Sequence, residues 1–464
     1  MDRRFFLKTS VMTAAALTLN PLSYAGRKRA ARHGLLKAKV GILSDIHVSG
    51  PDCDQLMALE NALNWYKDND VDAVLITGDM VDKPRIQLMA LVSEAWQKVF
   101  PGDKGSGGKP VKKLFITGNH DFSLTDPNLE GYSREFLWKK YYGLEWEQFS
   151  IQEVNGYKFI LANYAKAKEM PGLEEFMNAH ASELKGDKPF FYCQHAHPKG
   201  TCSAPWTIGQ DNGETTRILS GFPNCMAISG HSHTSLTDER TIWQGSFTSV
   251  GAASLYWISA FKGRENSRTK LHYIPTDSHM KPLDTSNGKQ GMLMSIYEDV
   301  IVLQRREFVY GHSLGPDWEL PLPFLKGGPV MDFEGRAGRE VAPQFAEGAK
   351  VAVSGIAAGK NCKDVDEMQQ TVSFPPVTSA VSGTRAFDYE VCLEVAEADV
   401  VKTLNTKRVF SEGYYLGEEN DVADVRCVFA DYELPGNWPY RYVVRPVGCF
   451  GKKGREICSD WFNG

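Results

Sequence analysis

Lys113-Leu114-Phe115-Ile116-Thr117-Gly118-Asn119-His120-Asp121 is the stretch whose reading decides the fold. Three consecutive apolar residues stop at a glycine followed by three polar side chains. That is the pattern of a strand covered on both faces that delivers a site at its carboxyl end. Gly118, without a Cβ, suits a sharp backbone turn just past that end. In open α/β sheets, ligands bind in the crevice beyond the strand ends. Taken alone, a Gly-Asn-His-Asp turn reads no better as a site than as an ordinary polar loop, and its weight comes from similar stretches elsewhere.

Four other apolar runs end the same way. Val40-Gly41-Ile42-Leu43 stops at Ser44-Asp45-Ile46-His47, and Val74-Leu75-Ile76 at Thr77-Gly78-Asp79. Pro189-Phe190-Phe191-Tyr192-Cys193 stops at Gln194-His195-Ala196-His197-Pro198, and Cys225-Met226-Ala227-Ile228-Ser229 at Gly230-His231-Ser232-His233. Between the first three, Leu56, Leu59, Leu63 and Tyr66 fall at helical spacing, and a second helical stretch runs from about Ile86 to Val99. Strand, helix, strand, helix, strand predicts right-handed crossovers and a sheet that is parallel here. A helix is expected over Ser133 to Tyr142, a hairpin turning at Asn155-Gly156, and helical spacing between Leu173 and Leu184. Thr241 to Val250, Met292 to Ile296 and Val300 to Glu307 read as strands returning to the same body. The glycine-rich loop from Pro101 to Pro110 is no phosphate-cradling P-loop: its Gly-Lys spacing is wrong, and a strand follows where a helix N-terminus is needed.

The two ends carry other signals. Arg3-Arg4 precedes Phe5-Phe6-Leu7-Lys8, a mildly apolar run from Val11 to Leu19 and the small residues of Ser23-Tyr24-Ala25. Residues 1–25 resemble a twin-arginine signal peptide, so the chain is expected to be exported by that route to the periplasm, the medium or the cell surface. The apolar run is too short to span a bilayer, and no later run serves as a transmembrane helix. With the leader removed, the formal charge falls from -5 to about -7, which excludes a general nucleic-acid binder. Length and a 42% apolar, 23% charged composition fit two domains or three.

Around Leu320 to Gly338 proline and glycine accumulate, and residues 311–340 are read as a linker. Beyond it, over 341–464, short strand-like segments with turns between them predict an antiparallel β-sandwich. The pattern resembles a fibronectin type III or immunoglobulin-like module, expected to pack on the first domain or on a surface partner. Nine cysteines suit an exported chain in which some pairing is allowed; Cys449 and Cys458 flank a possible hairpin and are the candidate bridge, while Cys193 and Cys392 read as buried free thiols.

Five strands thus end in ligand-type side chains: Asp45 and His47; Asp79; Asn119 and His120; His195 or His197; His231 and His233. Any one of them is as readily a cap, a turn residue or a satisfied core histidine, but the set is not a chance assembly. Carboxylate, imidazole and carbonyl donors together suit borderline or hard divalent ions and exclude a thiolate-dominated site.

In this order, Asp45-x-His47, Gly78-Asp79, Gly118-Asn119-His120-Asp121, a strand-terminal histidine and Gly230-His231-x-His233 resemble the calcineurin-like metallophosphoesterases over roughly residues 38–310. The resemblance implies an α/β, four-layer sandwich of two mixed sheets flanked by helices, holding two metal ions of manganese, iron or zinc type bridged by Asp79. Asp45, His47 and His233 would complete one metal, and Asn119, His231 and one of His195 and His197 the other. Strand alternation does not choose between the last two, which project to the same side; His195 is favoured because it directly follows the strand. Asp82 stands where purple acid phosphatases carry a tyrosine, so an iron-tyrosinate site is not expected.

Two such ions about 3.5 to 4 Å apart bind phosphoryl oxygens and generate hydroxide for in-line attack. By resemblance, His120 donates the proton to the leaving group, steered by Asp121 or Asp82. The expected function is hydrolysis of a small phosphomonoester or phosphodiester. Lipid pyrophosphate or nucleic-acid hydrolysis on the same centre is an alternative, as is a surface scaffold with an inert phosphoesterase domain. Thr201 to Arg217, including Trp206 and Asp211, is read either as pocket rim or as surface loop. Tyr256 and Trp257 are read as core aromatics in preference to a base-stacking pair.

Overall fold

The computed structural model describes residues 33–463 apart from 123–127, 166–168, 203–209, 261–262, 268–277, 380–382, 399 and 418–422. The leader expected over residues 1–25 lies outside the described residues, as does Trp206.

Strands β1 (Leu36–Leu43), β2 (Ala73–Thr77) and β3 (Lys112–Ile116) lie side by side and parallel. Helices Asp54–Asp68 and Ile86–Val99 cross between them. A short hairpin, β4 (Asn128–Leu129) and β5 (Tyr132–Ser133), leads into helix Arg134–Tyr142, whose Ser133 cap accepts from the Phe136 N–H. β6 (Phe149–Val154) and β7 (Tyr157–Ala162) turn at Asn155 and Gly156, both at positive φ as a primed turn requires.

The second sheet adds β8 (Phe190–Cys193), β9 (Cys225–Ser229), β10 (Ile242–Gln244) and β11 (Thr248–Gly251), in the order β10-β11-β9-β8-β7-β6. The chain then returns to the first sheet with β12 (Gln290–Tyr297), β13 (Val300–Glu307) and β14 (Trp318–Pro321), giving β14-β13-β12-β1-β2-β3.

Alternate strand residues face opposite ways, and this sorts the apolar runs. Val40, Ile42, Leu114 and Ile116 share one buried cluster with Phe159, Phe191, Met226 and Ile228 of the second sheet. Val74, Ile76 and Phe115, on the other face, pack on Leu59, Leu63, Val92 and Trp96 of the crossover helices. Ile160, Tyr192 and Ala227 do the same with Met177, Ile218 and Leu219, from helices Leu173–Ala179 and Glu214–Leu219.

Two local expectations differ from what is found. The helical stretch from Leu173 to Leu184 is broken into Leu173–Ala179 and Ala181–Leu184, because His180 leaves helical dihedrals at ψ 4°. The stretch over 311–340 is not a bare linker. β14 pairs with β13 from Val300↔Pro321 to Leu303↔Trp318, and helix Phe333–Arg339 follows, with Asp332 as its cap. Trp318 and Leu320 alternate as an edge strand should, but Pro316, Pro321 and Pro323 around them obscure the signal.

The C-terminal region is all-β apart from short turns of helix. β15 (Ala352–Val353), β16 (Ala357–Lys360) and β17 (Asp366–Phe374) precede β18 (Asp388–Glu397) and β19 (Val400–Val409). β20 (Val425–Ala430), β21 (Tyr440–Val447) and β22 (Ile457–Cys458) complete two four-stranded antiparallel sheets, β20 joining β17 in one and β19-β18-β21-β22 forming the other. Val372, Phe374 and Phe429 of one meet Tyr389, Val391 and Tyr442 of the other in a shared core. Phe387, Phe410, Tyr414 and Leu416 join the cluster of Leu236, Ile258 and Ala260, so this module packs on the first domain.

All nine cysteines are free, including Cys449 and Cys458, which corrects the bridge expected between them. The Cys449 thiol instead donates to Asp238 Oδ1 at 3.1 Å, while Cys458 is exposed on β22. Among the described residues, no helix is long and apolar enough to cross a membrane.

Candidate metal centre

The five strand-end turns, three from the first sheet and two from the second, converge on one point. Three groups of possible ligands form there among the described residues, Asp45 with His47 and His233, Asp79 with His195 and His231, and, sharing His47 with the first, His47 with Asp82 and His120. His233 Nε2 lies 3.0 Å from Asp45 Oδ1, and His47 Nε2 lies 3.8 Å from the same oxygen. Asp79 Oδ2 sits between the first two groups, 3.6 Å from His47 Nε2 and 3.2 Å from His195 Nε2. His195 Nε2 is also 3.1 Å from Asn119 Oδ1 and 3.1 Å from His231 Nδ1. Thus Asp45, His47, Asp79, Asn119, His195, His231 and His233 are brought together.

His197 is not. It is buried in the core, with Nε2 2.7 Å from Ser232 Oγ and Nδ1 3.2 Å from Cys202 Sγ. Burial pushes its pKa down to about 4, so it is a neutral, satisfied histidine.

The backbone pays for the convergence in strain. Asp45, His47, Asp79, His231 and His233 all have φ between 49° and 65°. Left-handed backbone costs a non-glycine residue of order 1–2 kcal/mol, although Asp and His tolerate it better than most. Five such residues around one point are the signature of a functional site.

Gly118 and Gly230 are required by close approach. A Cβ on Gly118 would stand 2.2 Å from Asp79 Oδ1, and one on Gly230 would stand 1.8 Å from Ser44 Oγ and 2.4 Å from Asp45 Oδ2. Gly118 does not have a positive φ, so the turn expected of it is made elsewhere, and room for the carboxylate is what it supplies.

The remaining polar atoms hold the ligand atoms in place. Asp45 Oδ2 accepts from the His231 N–H at 2.7 Å and the Ser44 hydroxyl at 2.5 Å. His195 Nδ1 is 2.8 Å from the Thr77 carbonyl, and His233 Nδ1 is 2.9 Å from the Trp257 carbonyl, which turns both Nε2 atoms inward. Ser44 and these two carbonyls went unread in the sequence. Ser44 adjoins a quoted ligand, but backbone carbonyls leave no residue-type signal.

Asp45 Oδ1 and both ring nitrogens of His47 are buried without a hydrogen-bond partner among the described residues. Such atoms are costly unless something satisfies them. A hard or borderline cation on Oδ1 and Nε2 does so, and the oxygen and imidazole donor set suits it. Burial works against a proton on His47 or His195. The Asp45, Asp82 and Asp79 carboxylates nevertheless push His47 up to about 9, and Asp79 and Asp45 push His195 up to about 10. Protons thus stand where a cation fits.

His120 lies at the edge, half-exposed, its ring 4.6 Å from that of His47. Its Nδ1 is 2.7 Å from the Asp82 backbone carbonyl, and its N–H donates to Asp79 Oδ1 at 2.8 Å. Asp121 does not reach its ring. Its carboxylate accepts from the N–H groups of Asp79 (2.8 Å), Met80 (2.8 Å), Val81 (3.2 Å) and Gly118 (2.7 Å), and fastens the two turns together. The steering role expected of Asp121 is therefore corrected to a structural one. The Asp82 carboxylate lies 3.5 Å from His47 Nδ1.

Tyr256 and Trp257 flank the centre, with rings 5.0 Å from His47 and 4.4 Å from His233. Asp211 accepts from Gln194 at 3.0 Å and braces the turn carrying His195, whereas Arg217 pairs with Glu174 on the surface.

Fold and site together define the class, a metal-dependent phosphoesterase. Residues 38–235 match the calcineurin-like phosphoesterase family, and the chain carries a domain of that kind. Similar solved structures include a predicted phosphoesterase from Streptococcus pneumoniae, at 13% identity over 62% of this chain and 99% of that one with a TM-score of 0.29. A dimetal phosphatase from Danio rerio is 12% identical over 61% of this chain and 99% of its own, with a TM-score of 0.39. GAP50, the anchor in the inner membrane complex of Plasmodium, is 12% identical over 63% and 90%, with a TM-score of 0.38. No curated protein matches.

Proposed function

We propose that the domain spanning residues 38–310, a four-layer sandwich in our reading, hydrolyses phosphomonoesters or phosphodiesters at a dinuclear metal centre. The observation that carries this is the set of buried, unpartnered ligand atoms, Asp45 Oδ1 and the His47 nitrogens, facing the shared Asp79 carboxylate. Asp45, His47 and His233 would hold one ion and Asn119, His195 and His231 the other, with the Asp79 carboxylate between the two groups available to both. Two divalent ions supply Lewis acidity to a phosphoryl group and lower the pKa of water to about 7.

The chain's own residues do the rest. The Thr77 and Trp257 carbonyls keep Nε2 of His195 and His233 inward. Ser44 and the His231 N–H occupy one oxygen of Asp45 and leave the other for the cation. His120, tethered through Nδ1 to the Asp82 carbonyl, presents Nε2 as donor to the leaving alkoxide of an in-line displacement. Tyr256 and Trp257 pack their rings against His47 and His233.

Export by the twin-arginine route is part of the proposal, and a folded, metal-loaded protein in the exported fraction would support it. The C-terminal module, in our reading fibronectin type III- or immunoglobulin-like, serves packing. A screen of mono-, di- and pyrophosphate esters with manganese, zinc or iron, on protein of known metal content, tests the substrate class. Turnover confined to pyrophosphates would overturn the ester reading, and none with any metal would favour an inert scaffold.

A further inference from the structure

Away from the strand ends, a cleft of about 570 Å³ opens where β13, β14 and helix Phe333–Arg339 meet the C-terminal module. Its volume is that of a site for a small organic molecule. Four arginines, Arg305, Arg336, Arg339 and Arg385, line it against three acids, Glu239, Asp317 and Glu340.

Glu239 is shared. Arg305 Nη1 (2.8 Å), Arg336 Nη2 (2.5 Å) and Trp318 Nε1 (2.7 Å) all donate to its carboxylate. Two guanidiniums on one carboxylate leave one positive charge in excess. Over the whole lining the four guanidiniums meet three carboxylates, so one positive charge stays in excess even with Glu340, whose oxygens accept from the backbone N–H groups of Phe450 and Lys452 at 2.8 and 2.9 Å. Arg339 is exposed and makes one long contact among the described residues, Nη2 to the Val330 carbonyl at 3.4 Å. In the wall, the Tyr414 hydroxyl and Arg305 Nε are buried with no hydrogen-bond partner among the described residues. Trp318, Phe387 and Phe450 give the same cleft apolar ring surfaces.

Excess guanidinium charge, unpaired donors and aromatic walls select one ligand chemistry. We infer that this cleft binds a small organic anion with a flat apolar body. The anionic group sits on the exposed Arg339, in the field of buried Arg305 and half-buried Arg336, and the body lies against Phe387, Phe450 and Trp318. The site is independent of the metal centre and does not rest on the reading of its activity.

Anilinonaphthalene sulfonate, an aromatic organic anion, is the probe, titrated by fluorescence into the full chain before and after metal removal. Saturable binding at one site is expected under both conditions, tighter than for the uncharged phenylnaphthylamine. Arg339→Ala should weaken it about tenfold, and Arg339→Lys should retain most of it. Circular dichroism checks that the variants fold. The inference is overturned if both dyes bind the native chain equally, if binding does not saturate, or if folded Arg339→Ala binds as tightly as the native chain. Should Arg339→Ala not fold, the two-dye comparison on the native chain decides.

Discussion

The two carboxylate oxygens of Asp45 have different duties. Oδ2 is occupied by Ser44 and the His231 N–H, while Oδ1 is left for a cation beside His233. His120 and Asp79 are divided in the same way, since Asp79 Oδ1 takes the His120 N–H and its Oδ2 faces both groups. Substitution at His120 therefore separates proton transfer from metal binding. His120→Ala is expected to keep its metal and lose turnover about 100-fold or more, read by metal analysis and kcat; a metal-replete variant with near-normal kcat would remove the role. Gly118→Ala is expected to do the reverse. Its methyl group meets Asp79 Oδ1 at 2.2 Å, so the turn must shift at a cost of about 1–3 kcal/mol. Metal content and melting temperature should both fall.

At the scale of elements, each of five buried strands ends in a short turn, and each turn carries side chains of ligand type. This was legible because an apolar run broken by Gly, Asp, Asn or His is a contrast visible in one dimension, as at Ile116 to Asp121. β14 and β16 were not legible. β14 is framed by prolines, and Ala357-Ala358-Gly359-Lys360 has no alternation, its strand being set by pairing with β17. The turn Asp238 to Arg240 was likewise silent, yet it holds a buried ion pair. Arg240 donates from Nε to Asp238 Oδ1 at 2.8 Å and from Nη2 to Oδ2 at 2.7 Å. Burial raises the Asp238 pKa, but Arg240 outweighs it and the net shift is downward. A depressed folded pKa gives stability that is present above the unfolded value, near 4, and lost as pH falls through the folded one. Resistance to denaturant should therefore fall below about pH 4, and Asp238→Asn should flatten that part of the profile. The same variant should lose roughly 1–3 kcal/mol at neutral pH, since it removes the charged acceptor of two Arg240 hydrogen bonds.

At the scale of the whole molecule, the module after residue 340 completes the catalytic domain's core. Phe387, Phe410, Tyr414 and Leu416 are buried in the cluster that includes Ile258 and Ala260. Sequence pattern showed its strands but not this docking, which depends on residues more than a hundred positions apart meeting across two sheets. A chain ending at residue 340 is expected to aggregate or to melt about 5 °C lower or more than the longer chain, read by scanning calorimetry. The metal centre is also a long-range assembly, spanning Asp45 to His233, but its motifs are local and were readable one by one. What single motifs could not say was whether His195 or His197 joins them. The most direct test counts metal and turnover on one sample, with bis-p-nitrophenyl and p-nitrophenyl phosphate as substrates for the native chain and Asp79→Asn. Turnover should appear as about two ions per chain are restored and be lost, with the metal, in Asp79→Asn. Full turnover in metal-free protein, or none at two ions per chain with manganese, zinc or iron, would contradict this.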